Sequence, residues 1–165
     1  MKKKKGKKIQ LCDIIDNEIK DNSLRNGFPK SFDSHIKQLK TKKIINHKDF
    51  TDIPFVTIDG QDSKDFDDAV WSETKKGITN IMIAISDVSF FIEKNDPLDL
   101  EAKKRGNSFY FPDRVIPMFP NEISNDICSL IPNKERASVI TEIKIKNFKV
   151  ISFKTVSYTH LTLPT

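Results

Sequence analysis

Five aspartates (Asp59, Asp62, Asp65, Asp67 and Asp68) fall within ten residues of the stretch IDGQDSKDFDDAV, with apolar residues on both sides. Carboxylates this close repel one another, and beside a core they cost free energy unless something positive compensates them. A hard divalent cation is such a partner, since magnesium takes a few carboxylates together with waters and substrate phosphates. Two such ions about 4 Å apart can activate a water and stabilise the leaving oxygen of a phosphodiester. Asp59 ends a short apolar stretch, Asp65 and Asp67 share one side if the segment is extended, and Asp68 points elsewhere, so several carboxylates can surround one point. Gly60 permits the tight backbone that such a loop needs. A calcium loop of the EF-hand type fails on spacing: it needs glycine at its sixth position, and here glycine follows the first aspartate. The other reading is a solvated acidic turn. Phe66, a large apolar residue between the acids, argues against that, because it should anchor the loop in the core.

Elements on either side must position these acids. Phe55–Ile58 (FVTI) is short, apolar and partly β-branched, which predicts a buried strand ending at Asp59. DAVWSE after the loop predicts a second strand. Near-continuous apolar sequence in Ile81–Val88 predicts a central strand buried on both faces. Asp96 as N-cap and Pro97 at N1 open a helix that Gly106 closes. NSFYFPDRVIPMFP, with its prolines, predicts extended loop, and NEISNDICSL a short helix. SVITEIKIK alternates, which predicts a half-buried strand with Val139, Thr141, Ile143 and Ile145 on its core side.

Before Pro54 the chain is different. Residues 1–10 are a basic run expected to be disordered. Leu11, Ile14, Ile15 and Ile19 lie at helical spacing, with GFP at Gly27–Pro29 as the stop. Residues 30–40 predict a second short helix with Ser31 as N-cap. The sequence therefore predicts a mixed α/β (α+β) fold with a helical, basic lead-in over residues 11–50.

Composition narrows the function classes. Residues 1–50 carry 14 Lys/Arg against 6 Asp/Glu, whereas residues 51–165 carry 14 against 17. The basic half suits a polyanion such as RNA, or is simply a solvated terminus. No apolar run approaches a membrane span, and Cys12 and Cys128 are far apart without a C-x-x-C partner, so a cytoplasmic setting is expected. Cys128 reads as a buried small residue; His35, His47 and His160 are scattered and suggest no triad.

The stretch DIPFVTIDGQDSKDFDDAV resembles the signature of the ribonuclease II/ribonuclease R (RNB) catalytic domain, in a form nearer the ribonuclease R branch. IAISDVSFFI, PLDLEAKKRGNSFYFPDRVIPMFP and ISNDICSLIPNKERAS follow in family order and spacing. The resemblance implies a partial RNB-type catalytic domain over residues 51–155. It also implies processive hydrolysis of single-stranded RNA from its 3′ end, releasing nucleoside 5′-monophosphates, with magnesium (manganese as a substitute). By resemblance four acids surround the metal: Asp59 and Asp68 as direct ligands, Asp67 as essential to the hydrolytic step through the second metal or the attacking water, and Asp65 completing the cage and counted with Asp67 as catalytic, whereas Asp62 is a solvated loop carboxylate. Tyr110 matches an aromatic that stacks near the 3′-terminal base, or is core between Phe109 and Phe111. Arg114 either touches RNA phosphate or pairs with Asp113, and Arg136 is similarly open. The complete family enzyme is expected to be monomeric. Family text fades near Lys154, and residues 156–165 look anomalous, as if joined from elsewhere. The competing reading is an inactive RNA-binding remnant.

Overall fold

The computed structural model describes residues 10–45, 47–161 and 163, so most of the expected basic tail lies outside the described residues. The fold is mixed α and β, as the sequence predicts. Helix α1 (Leu11–Asp21) and helix α2 (Phe32–Leu39) lead in. α1 stops well before Gly27, capped at Asn22. Ser31 does occupy the position before α2, but its backbone is already helical and its side chain makes no capping bond.

A five-stranded sheet follows. Strand β1 (Lys48–Asp49) is brief; β2 (Asp68–Lys75) and β3 (Ile78–Ser86) form a hairpin. Its two-residue turn, Lys76 at φ 51° and Gly77 at φ 74°, has the left-handed pair that matches strand twist. Helix α3 (Val88–Phe91) is a single turn capped by Asp87, and α4 (Pro97–Arg105) starts under the Asp96 carboxylate, which accepts from the Leu98 amide at 2.8 Å. The proline-rich stretch contains a small hairpin, β4 (Phe109–Tyr110) with β5 (Val115–Ile116). Ile123–Ile127 is a π-helical turn. Long strands β6 (Arg136–Lys146) and β7 (Lys149–Leu161) close the sheet, in the order β1-β7-β6-β3-β2. Only β1 and β7 run parallel. The last strand passes through residues 156–161, and Leu161 and Leu163 are buried.

Three strand expectations are corrected. Phe55–Ile58 is no strand: Val56 makes a single antiparallel bridge to Val70, Phe55 is fully buried, and Ile58 is 84% exposed. The bridge takes only one residue of the free edge of β2, so the chain leaves the sheet before Asp59. β3 is not buried on both faces: Ala84 is, but Ile85 is 48% exposed. β6 buries Ser138 and Ile140 on one face, whereas on the face of Val139 only Ala137 is buried and Val139 is half-buried. One cause accounts for the last two. Ala69, Ala84 and Ile140 share one sheet face, where Phe50, Phe55, Leu130, Leu161 and Leu163 pack on them. Among the described residues the other face is covered at its Ala137 end, by the helical cluster around Phe91, Ile123 and Ile127.

Two further clusters hold the helices. α2 packs through Phe32, Ile36 and Leu39 against Phe91, Leu98, Ile123 and Ile127. α1 packs through Ile15 and Ile19 on Ile116, with Phe109 and Phe111 beside them. A polar clamp reinforces this. Buried Glu101 accepts from Arg25 Nε (2.7 Å) and Arg105 Nε (3.1 Å), and Arg105 also donates to the carbonyls of Arg25, Gly27 and Pro117. Its charge is thereby hydrogen-bonded as well as paired, the condition under which burial of an ion pair is tolerated. The lead-in is thus fastened to α4 and to the hairpin that carries Tyr110.

Candidate active site

The acidic loop is held from its middle. Phe66 packs on the cluster around Phe55 and Leu130, as expected of an anchor. Buried Ser129 then fixes the backbone on either side of Asp65: its hydroxyl donates to Lys64 O at 2.9 Å and accepts from Phe66 N at 3.0 Å. The Leu130 amide donates to Phe66 O at 2.9 Å. Ser129 is itself held by Arg136, whose Nε donates to the Ser129 carbonyl at 2.8 Å; this guanidinium also reaches Asp126 at 3.4 Å, so Arg136 is committed inside the fold. Beyond Phe66 the loop joins the sheet: Ser86 N donates to Asp67 O at 2.9 Å, and Asp68 opens β2 opposite Ile85.

The consequence is electrostatic. Asp67 has its carboxyl held above the usual carboxylate range, first by partial burial and then by repulsion from Asp65, Asp68 and Asp59. The four acids therefore share one field, uncompensated by any lysine or arginine in that balance. Asp59, Asp62 and Asp68 are exposed and Asp65 is half-buried; Asp67 also presents surface to solvent, while the protein packed around it displaces part of its hydration. No three of the described His, Cys, Asp or Glu residues lie close enough together to hold an ion jointly. In donor chemistry alone the acids suit a hard divalent cation: every candidate donor is a carboxylate oxygen, and the mutual repulsion is the kind a 2+ charge relieves.

Tyr110 stands at the mouth. It is 70% exposed, so it is not core; alternation turns Phe109 and Phe111 into the α1 cluster and Tyr110 outward. Its hydroxyl donates to Asp65 Oδ2 at 3.3 Å. Burial and the Asp65 and Asp67 charges push the phenol's pKa up, so it stays protonated and a donor. Between them lies a cleft of about 550 Å³, lined by Asp65, Asp67 and Tyr110 and floored by Ile85, Phe119 and Cys128. Burial pushes the Cys128 thiol up to about 12, which makes it a neutral wall residue, not a nucleophile.

Arg114 lies elsewhere. Its guanidinium pairs with Asp113 at 2.8 Å and with Asp16 on α1 at 2.7 Å, and it does not line the cleft. Ser129, Ser86 and Ile85 are the contributors that sequence reasoning passed over. One signal was available for Ser129, a lone hydroxyl inside the apolar run ICSLIP; nothing local marks Ser86 or Ile85.

A loop of mutually repelling acids beside a cleft defines a class, and residues 47–159 match the family described as "RNB domain". The chain belongs to that family, as the sequence motifs led us to expect. It is similar to ribonuclease R. The Escherichia coli K12 protein of that name is 47% identical over 100 residues, which is 60% of this chain and 12% of that protein. Ribonuclease R of Buchnera aphidicola subsp. Schizaphis graminum is 48% identical over 116 residues, 64% of this chain and 16% of the relative. The structure of Mycoplasma genitalium RNase R in complex with ribose methylated single-stranded RNA superposes with a TM-score of 0.86 at 29% identity, covering 93% of this chain and 25% of that one. This chain thus spans a small fraction of the curated relatives it matches.

Proposed function

We propose that the chain carries the metal-binding part of a 3′-to-5′ exoribonuclease, acting on the single-stranded 3′ end of RNA and releasing nucleoside 5′-monophosphates. The observation that carries this reading is the Tyr110 hydroxyl on Asp65, which puts an aromatic face on one cleft with Asp65 and Asp67. The named activity of its ribonuclease R relatives supports it.

Asp59 and Asp68 would hold magnesium, or manganese in its place, with Asp65 completing the set. When bound, such ions supply a water of lowered pKa and neutralise charge on the scissile phosphate. Asp67, with its raised proton affinity, suits taking the proton of the attacking water at a carboxylate oxygen. Tyr110 would stack on a terminal base, a contact that tolerates any sequence. Ile85 and Phe119 would keep bulk water from the cleft, which strengthens every charge interaction inside. Arg114 would have to leave two aspartates to meet a phosphate. The unpaired cysteines fit a cytoplasmic setting, and a monomer suffices for the cleft, which this chain's own residues line.

An inactive RNA-binding remnant is the second reading. The spread of the acids, too wide among the described residues for joint ligation, favours it. Titrating magnesium into the purified chain with a 5′-labelled RNA separates the two. Progressive shortening of the label with monophosphate release supports the enzyme; salt-sensitive binding without release supports the remnant.

A further inference from the structure

The sheet has a second end, remote from the acids, and its side chains have no evident structural purpose. The β6–β7 turn is Asn147-Phe148, at φ 49° and φ 61°. Glycine or asparagine takes such angles readily, whereas a bulky residue there is strained. Phe148 is also fully exposed, so its ring gives the fold no burial in exchange. Strain without a packing return marks a residue that serves a contact outside the chain.

Its neighbours say what that contact is. Lys146 pairs with Lys149 across the turn, and Lys146 also faces Ile78 at the start of β3. The adjacent β2–β3 turn contributes Lys76, and Lys144 lies two residues back on the same face as Lys146. All four lysines are exposed, and among the described residues none of them pairs with a carboxylate. Lysines side by side on neighbouring strands repel, so the group is poised for a polyanion. Ile85, opposite Asp68, and Ile78, opposite Lys146, are seven residues apart on β3, so the two ends of the sheet are separated by roughly 23 Å.

We infer that the tips of the two hairpins form an RNA-contact surface separate from the acidic cleft, in which an unpaired base stacks on Phe148 and Lys76, Lys144, Lys146 and Lys149 neutralise phosphates. This rests on the reading that the chain handles RNA, but not on hydrolysis. A base has an apolar face for the ring and a phosphate within reach of the lysines; an apolar protein partner would leave the four charges unmet.

The test is binding of a labelled oligouridine to the full chain in EDTA, where metal-dependent cleavage is off. Phe148→Gly should weaken binding about 5- to 150-fold, the worth of one stacked base. It should leave thermal stability equal or higher, because glycine takes a positive φ without steric cost. Phe148→Trp should bind as the parent does. Replacing the four lysines with alanine should flatten the slope of log affinity against log salt by about 3. Binding by the parent that none of these changes alters overturns the surface and leaves the cleft reading standing. No binding by the parent at low salt overturns both. Loss of self-association in Phe148→Gly with unaltered RNA affinity assigns the tip to a protein contact, and overturns it too.

Discussion

The Ser129 hydroxyl sits 3.0 Å from the Phe66 amide and 2.9 Å from the Lys64 carbonyl, so one buried side chain clasps the acidic loop on both sides of Asp65. The aspartates are aimed by this clasp, because Phe66 lies directly between Asp65 and Asp67. Arg136 holds the clasp in turn through the Ser129 carbonyl.

Ser129→Ala should therefore leave Phe66 N and Lys64 O unsatisfied in a part-buried setting, at a cost of about 1–3 kcal/mol. Urea denaturation measures that loss, and amide exchange at Phe66 should quicken before global unfolding. An unchanged midpoint with unchanged exchange would show that the loop is held by Phe66 packing alone.

Asp67→Asn should abolish magnesium-dependent hydrolysis and leave RNA binding largely intact; parallel loss of both would contradict a role confined to the hydrolytic step. It should also stabilise the chain at neutral pH in EDTA. The folded state raises the carboxyl above its ordinary value of 3.8, so the folded chain binds the proton more tightly than the unfolded one. Stability from this group is complete below that value and is lost as pH rises through the folded pKa. The melting advantage of Asp67→Asn should accordingly be absent at low pH and emerge as pH rises past the carboxylate range.

Divalent ions should raise the melting temperature of the parent chain, since a ligand bound only by the folded state stabilises it by about 2.7 kcal/mol at 100 times its Kd. Calorimetric melts with magnesium, manganese and then a chelator check this. The gain should shrink in Asp59→Asn and Asp68→Asn, and an equal gain in both variants would move the ion elsewhere.

Tyr110→Ala should weaken capture of a short RNA 3′ end by about 1–3 kcal/mol, whereas Tyr110→Phe keeps the ring and should keep most of the affinity. Competition binding with oligonucleotides blocked at the 3′ or the 5′ end distinguishes end recognition from general attraction. Equal effects on both would argue that the cleft does not select an end.

Much of the architecture was legible locally. Asp96-Pro97 and Gly106 bound α4 through a side-chain cap, a fixed φ and a left-handed exit, all set by residues within the element. Phe66 among acids announced its own burial. The failures came where a neighbour decides. Phe55–Ile58 has strand composition but finds one partner residue, Val70. Val139 and Ile140 are both suitable core residues, and only the cover over Ala69 and Ala84 chose Ile140.

The acid cluster, its family and its charge chemistry follow from the order of residues alone, because carboxylate spacing over ten positions is a local property. The tertiary structure decided what surrounds it: that Tyr110 meets Asp65 across 45 positions, that Ser129 reaches back 65 to Lys64, and that Arg114 is spent on Asp16. Those contacts join segments whose separation along the chain carries no signal, and only closing the sheet and packing α1 on the β4–β5 hairpin brings them within hydrogen-bond reach.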